Sequence, residues 1–119
     1  MKDFRKLNVW QKSHELTLQI YKNTRAFPKE EIYGLTSQIR RSSISIPSNI
    51  AEGCGRNSDL DFARFLQIAM GSASELEYQT LLAYDLHYLD ENTYIKLLNE
   101  IEEVKKMLAG LIQKLKAEG

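Results

Sequence analysis

An all-α, antiparallel up-down four-helix bundle is the fold this sequence predicts, and three observations carry that expectation. Apolar residues recur at steps of three and four over four long stretches. No stretch alternates with the period of a strand. The breaks between stretches are short and are marked by Pro, Gly, Asp and Asn. At 119 residues the chain fits one four-helix-bundle domain over residues 1–119.

The first helix is expected from about Val9 to Ala26. Val9, Ser13, Leu16 and Ile20 form one stripe, and Trp10, His14, Thr17 and Tyr21 form a second beside it. Two stripes give the wide apolar face that a bundle helix needs. Phe27-Pro28 ends it, because a proline drives the preceding residue out of the helical region. The second helix is expected from about Ile32 to Gly53, with Leu35, Ile39, Ile46 and Ile50 inward. Pro47 lies within it, removes one backbone hydrogen bond and crowds the Ser43 carbonyl, so a kink is expected. Gly53-Cys54-Gly55 offers a glycine for a left-handed cap.

Ser58 suits the N-cap of the third helix, with Asp59 and Asp61 in its first turn, where the helix dipole favours acids. Phe62, Phe65, Leu66, Ala69, Ala73, Leu76, Thr80 and Ala83 mark its inner face, and the helix is expected to reach about Leu89. Small residues around Gly71 predict that another helix packs very close there. After a turn at Asp90-Glu91-Asn92, a seam of Ile101, Val104, Leu108, Leu111 and Leu115 defines the fourth helix.

Composition narrows the function classes. The apolar share is 43% and the charged share 27%, which is ordinary for a folded globular chain. A single cysteine excludes an internal disulfide and a cysteine-rich metal site. No apolar run approaches the roughly 18 residues of a membrane span, and no signal peptide opens the chain, so a cytoplasmic location with no membrane partner is expected. Net charge is zero, yet residues 1–64 hold 11 Lys/Arg against 7 Asp/Glu, and residues 65–119 hold 5 against 9.

No catalytic constellation emerges. A di-iron bundle site needs a Glu three residues before a His, but Gln11 precedes His14 and Tyr84 precedes His87 at that spacing. Cys54 has no local base to activate it. Gly53-x-Gly55 is preceded by no strand and followed by no phosphate-loop lysine. Neither an enzyme nor a cofactor or metal is expected. Glu52, Glu75 and Glu77 are expected to pair with Arg40, Arg41 or Arg64. Asn49, Glu52 and Glu75 are expected to form a structural polar set that fixes the register of the second and third helices. The planar fork of arginine grips phosphate, so Arg25, Arg40, Arg41, Arg56 and Arg64 are the candidates for contact with an RNA or DNA backbone. Tyr78, Tyr84 and Tyr88, together with the second stripe of the first helix, exceed what one small bundle buries easily. That surplus suggests a homo-oligomer, or a partner protein docked as on an adaptor.

Several blocks resemble a known family. They are Val9-Trp10-Gln11, Phe27-Pro28, Tyr33-Gly34-Leu35, Gln38-Ile39-Arg40-Arg41, and Ile46-Pro47-Ser48-Asn49-Ile50-Ala51-Glu52-Gly53 with Arg56. Phe65-Leu66, Ala69, Gly71-Ser72 and Glu75-Leu76 continue the match. Together they resemble the bacterial four-helix-bundle family named after the 23S rRNA intervening sequence protein. A structural relative is the accessory protein of diversity-generating retroelements, which partners a reverse transcriptase and binds nucleic acid. The resemblance implies a homopentameric ring around a central channel, without known enzymatic activity. Cys54 departs from the family's usual aromatic, and Met70 from its usual basic residue.

Overall fold

The computed structural model describes residues 2–118. A 3-10 turn at Phe4–Lys6 leads into α1, Asn8–Thr24. A second 3-10 turn at Lys29–Glu31 precedes α2, Leu35–Cys54. Then come α3, Asp59–Asp85, and α4, Glu91–Glu118. No strand occurs among the described residues, and the four helices pack as an elongated bundle of 45 × 23 × 20 Å.

Cross-helix bonds give the direction of each neighbour. Ser42 on α2 meets Glu75 on α3, and Ser45 meets Ser72, so numbers rise on one helix as they fall on the other. α1 and α2 are related in the same way through Thr17 with Ser43 and Thr24 with Arg40. Lys12 with Glu103 and Glu77 with Lys105 close the remaining two seams. The topology is therefore antiparallel up-down, as the short breaks predict.

The predicted inner faces lie in the core. Val9, Ser13, Leu16 and Ile20 are buried on α1, and all eight residues named for α3 are buried. On α4, Ile101, Val104, Leu108 and Leu115 are buried while Leu111 is half-buried, and Leu97 extends the seam. Ser58 Oγ accepts the Asp61 N–H at 3.1 Å, and Asp90 accepts the Thr93 N–H at 2.7 Å, so both caps form.

Four local expectations need correction. α2 starts at Leu35 rather than Ile32, because Lys29–Glu31 takes its own turn and leaves Ile32 and Tyr33 exposed. α3 stops at Asp85 rather than near Leu89, and His87, two residues later, sits at φ 66°. The Tyr88 N–H bonds the Ala83 carbonyl and the His87 N–H bonds the Tyr84 carbonyl, which is the Schellman pattern closed by a non-glycine residue. At the end of α2 neither glycine is left-handed; Gly55 has φ −84°. Finally, Gly71 is exposed and a Cβ there would touch nothing within 4 Å. The close approach belongs to Gly53 instead, where a Cβ would lie 2.7 Å from the Phe62 ring.

α2 runs unbroken through Pro47. Proline cannot donate to the Ser43 carbonyl, and that carbonyl instead accepts the Thr17 hydroxyl of α1 at 2.9 Å. The gap in one helix ladder thus becomes a bond between helices.

Candidate functional site

The five candidate arginines do not form one cluster. Arg40 and Arg25 belong to the end where α1 finishes and α2 begins. Arg40 donates to Thr24 Oγ1 at 2.9 Å and lies over the Tyr21 ring at 4.7 Å. Arg25 is exposed just beyond α1. Arg41 is exposed on the outer side of α2 and lines a polar concavity of about 390 Å³ with Gln38, Ser42, Ser45 and Glu75. Fourteen residues of α2 rise separate Arg40 from Cys54, roughly 21 Å, and Arg56 lies just beyond that end.

Arg56 and Arg64 come together at the opposite end. Their guanidiniums lie 4.5 and 4.9 Å from the centre of the same Phe65 ring. Arg64 bonds Asp61 at 2.9 Å, and Arg56 reaches Glu52 at 3.2 Å and Asp61 at 3.9 Å. Together with Gly55, Asn57, Ser58 and Leu60 they line an open concavity of about 500 Å³. Lys2 joins this end because its backbone N–H bonds the Cys54 carbonyl at 3.3 Å.

Topology turns the charge asymmetry of the sequence into an asymmetry of ends. The end built from residues 2–16, 45–72 and 105–118 holds ten Lys/Arg and six Asp/Glu; the other end holds six and ten. The basic end gathers Lys2, Lys6 and Arg56 with Lys114 and Lys116 from the last turns of α4. Lys2, Lys6 and Lys116 form no ion pair among the described residues. Candidates chosen by arginine chemistry missed these lysines. Their signal was available in the up-down order, which brings the start of α1, the α2–α3 turn and the last turns of α4 to one tip.

The structural polar set separates likewise. Glu75 accepts the Ser42 hydroxyl across the α2–α3 seam at 3.0 Å. Asn49 stays on its own helix, bonding the Ser45 carbonyl at 2.8 Å and the Ser45 hydroxyl at 3.0 Å. Ser45 in turn meets Ser72 at 2.7 Å, so Asn49 supports the seam through it. Glu52 pairs with Arg56 on its own side of the turn and makes no bond to α3. The acids expected to pair with Arg40, Arg41 or Arg64 choose other partners: Glu52 takes Arg56, Glu75 takes Ser42 and Glu77 takes Lys105.

The surplus of apolar surface is real but smaller than the tyrosine count suggests. Tyr84 stacks on Tyr94 at 4.4 Å, and Tyr88 packs on Phe27 and donates to Glu31, which holds its phenol above the usual range. Tyr78 remains 61% exposed. On the α1–α2 side, the second stripe, with Trp10 and Thr17 half-buried and His14 exposed, lines an apolar concavity of about 340 Å³, where the Trp10 and His14 rings stack at 4.9 Å and Phe4 meets Trp10 edge-on. Among the described residues no group of three or more His, Cys, Asp or Glu is placed to hold a metal ion. Cys54 is buried, and burial pushes its thiol up. No helix among the described residues is long and apolar enough to cross a membrane.

Comparison with known proteins agrees with the geometry at the level of fold. A family model described as the 23S rRNA-intervening sequence protein matches residues 5–110. A crystal structure from Bacteroides thetaiotaomicron VPI-5482, of a protein with unknown function from the S23 ribosomal protein family, superposes with a TM-score of 0.81. It is 30% identical over 88% of this chain and 95% of its own. None of the curated proteins compared matches the chain.

Proposed function

The chain belongs to the 23S rRNA-intervening sequence protein family, and on that footing we propose a non-enzymatic bundle that assembles with copies of itself and holds nucleic-acid backbone against its basic end. The sorting of charge by end carries the reading. An end some 23 by 20 Å across faces several phosphates, since duplex DNA presents one charge per about 1.7 Å of axis. Lysines at the tip supply mobile point charges. Arg56 and Arg64, held flat against Phe65, supply oriented forks that exchange Asp61 and Glu52 for phosphate oxygens. With Phe65 lying beneath both arginines, contact is to phosphate and sugar and is sequence-independent. Arg25, Arg40 and Arg41 stand on the acidic end and contribute little.

Filter binding to structured RNA and to duplex DNA over a salt series tests the reading. Expected is a linear fall of log affinity with log salt, of slope about −0.9 per duplex phosphate contacted. Absence of binding at low salt, or a flat salt response, contradicts it. The exposed apolar side chains favour a second reading, in which the assembly docks a partner protein. A pull-down that survives nuclease, with no retention on heparin, selects that one. In either case a homopentamer is the expected state.

A further inference from the structure

Midway along the outer seam between α2 and α3, Gln38, Arg41, Ser42, Ser45 and Glu75 line the polar concavity of about 390 Å³. No apolar residue lines it, and its volume lies toward the small end of the range for ligand sites. The hydroxyls of the seam are already engaged. Ser42 stands between the Gln38 carbonyl at 3.1 Å and Glu75 at 3.0 Å. Ser45 meets Ser72 at 2.7 Å and accepts from the Asn49 amide at 3.0 Å. What remains for a ligand is charge. Arg41 and Glu75 are exposed on this one concavity from facing helices, and neither forms an ion pair among the described residues.

A third group lies one turn farther along the same side of α3. Gln79 is only 7% exposed, and its side-chain carbonyl oxygen has no hydrogen-bond partner. The antiparallel register fixed by Ser42 with Glu75 and Ser45 with Ser72 puts Gln79 at the level of Gln38. Buried acceptors are nearly always paired in folded proteins, and this unpaired one stands at the Gln38 end of a polar concavity.

We propose that this concavity binds a free α-amino acid with a polar side chain. The ligand carboxylate takes the planar fork of Arg41, and its ammonium group takes the Glu75 carboxylate. An anion alone would face Glu75 unpaired, and a cation alone would face Arg41, so a zwitterion is the class that satisfies both. The Gln38 amide and the open Gln79 carbonyl favour a side chain that carries an amide of its own. The site stands apart from the Arg56–Arg64 concavity and does not depend on nucleic acid being held there.

Isothermal titration calorimetry of the full chain with L-glutamine, N-acetyl-L-glutamine and the α-amide of L-glutamine tests the site. Wild type should bind L-glutamine saturably, and blocking either ligand charge should weaken binding by about tenfold or more. Two variants assign the groups, with native helix content checked by circular dichroism. Glu75→Gln keeps an acceptor for the Ser42 hydroxyl, so the seam is retained. It should weaken L-glutamine to the level of the acetylated ligand and should not weaken the acetylated ligand further. Arg41→Gln should do the same with respect to the α-amide. No saturable binding to wild type overturns the proposal. So do blocked ligands that bind as tightly as L-glutamine, or folded variants that weaken all three ligands alike.

Discussion

Three residues decide features that composition does not show. Thr17 reaches the carbonyl that Pro47 leaves free, so Thr17→Val should strand a buried acceptor and lower unfolding free energy by about 1–3 kcal/mol in denaturant melts. His87 holds a left-handed position that glycine occupies without strain, and His87→Gly should raise stability by roughly 0.5–1 kcal/mol. Gly53 faces the Phe62 ring too closely for a methyl group, so Gly53→Ala should cost about 1–3 kcal/mol. Gly71→Leu, by contrast, should leave helix content and denaturant midpoint nearly unchanged, because a side chain there meets open space within its own chain. Sequence favoured Gly71 as the tight glycine because its neighbours are small. The true close approach at Gly53 is set by where the α2–α3 turn aims Phe62, which local composition does not encode.

At the scale of elements, helix faces were legible and helix ends were less so. Inner positions repeat over many residues, and one misplaced residue does not erase the period. An end depends on one or two bonds, such as the Tyr88 N–H to Ala83 that stops α3 before Leu89. The α1–α4 seam carries its own test. Glu100 is half-buried there with one carboxylate oxygen lacking a partner, and burial raises its pKa despite Lys96 and Lys12 nearby. A raised folded pKa means the folded state holds the proton more tightly than the unfolded chain. The stabilisation from protonation is complete below the ordinary carboxylate range and is lost as pH rises through the folded value. Glu100→Gln should therefore be more stable than wild type at neutral pH. Melting curves from pH 4 to 8 should show the two proteins converging on the acid side; a constant offset would show that Glu100 does not titrate this way.

For the whole molecule, the charge split was visible in the sequence, but its spatial meaning was not. Read along the chain it divides two halves; folded up-down, it divides two ends. That is why the candidate arginines part company, with Arg56 and Arg64 at the basic tip and Arg25 and Arg40 at the other. Lysines scattered across 115 positions of sequence, from Lys2 to Lys116, share one end only because the up-down topology returns α4 to the level where α1 begins. The ligand-facing role of that tip is the central claim. It is tested most directly by comparing two charge-reversed proteins for binding to structured RNA at low salt: Arg56→Glu with Lys114→Glu at the basic end, and Arg25→Glu with Arg41→Glu at the acidic end. The account predicts that the first pair loses affinity by tenfold or more, about 1.4 kcal/mol, while the second binds as wild type does. Equal losses in both, or a loss confined to the second, would contradict it.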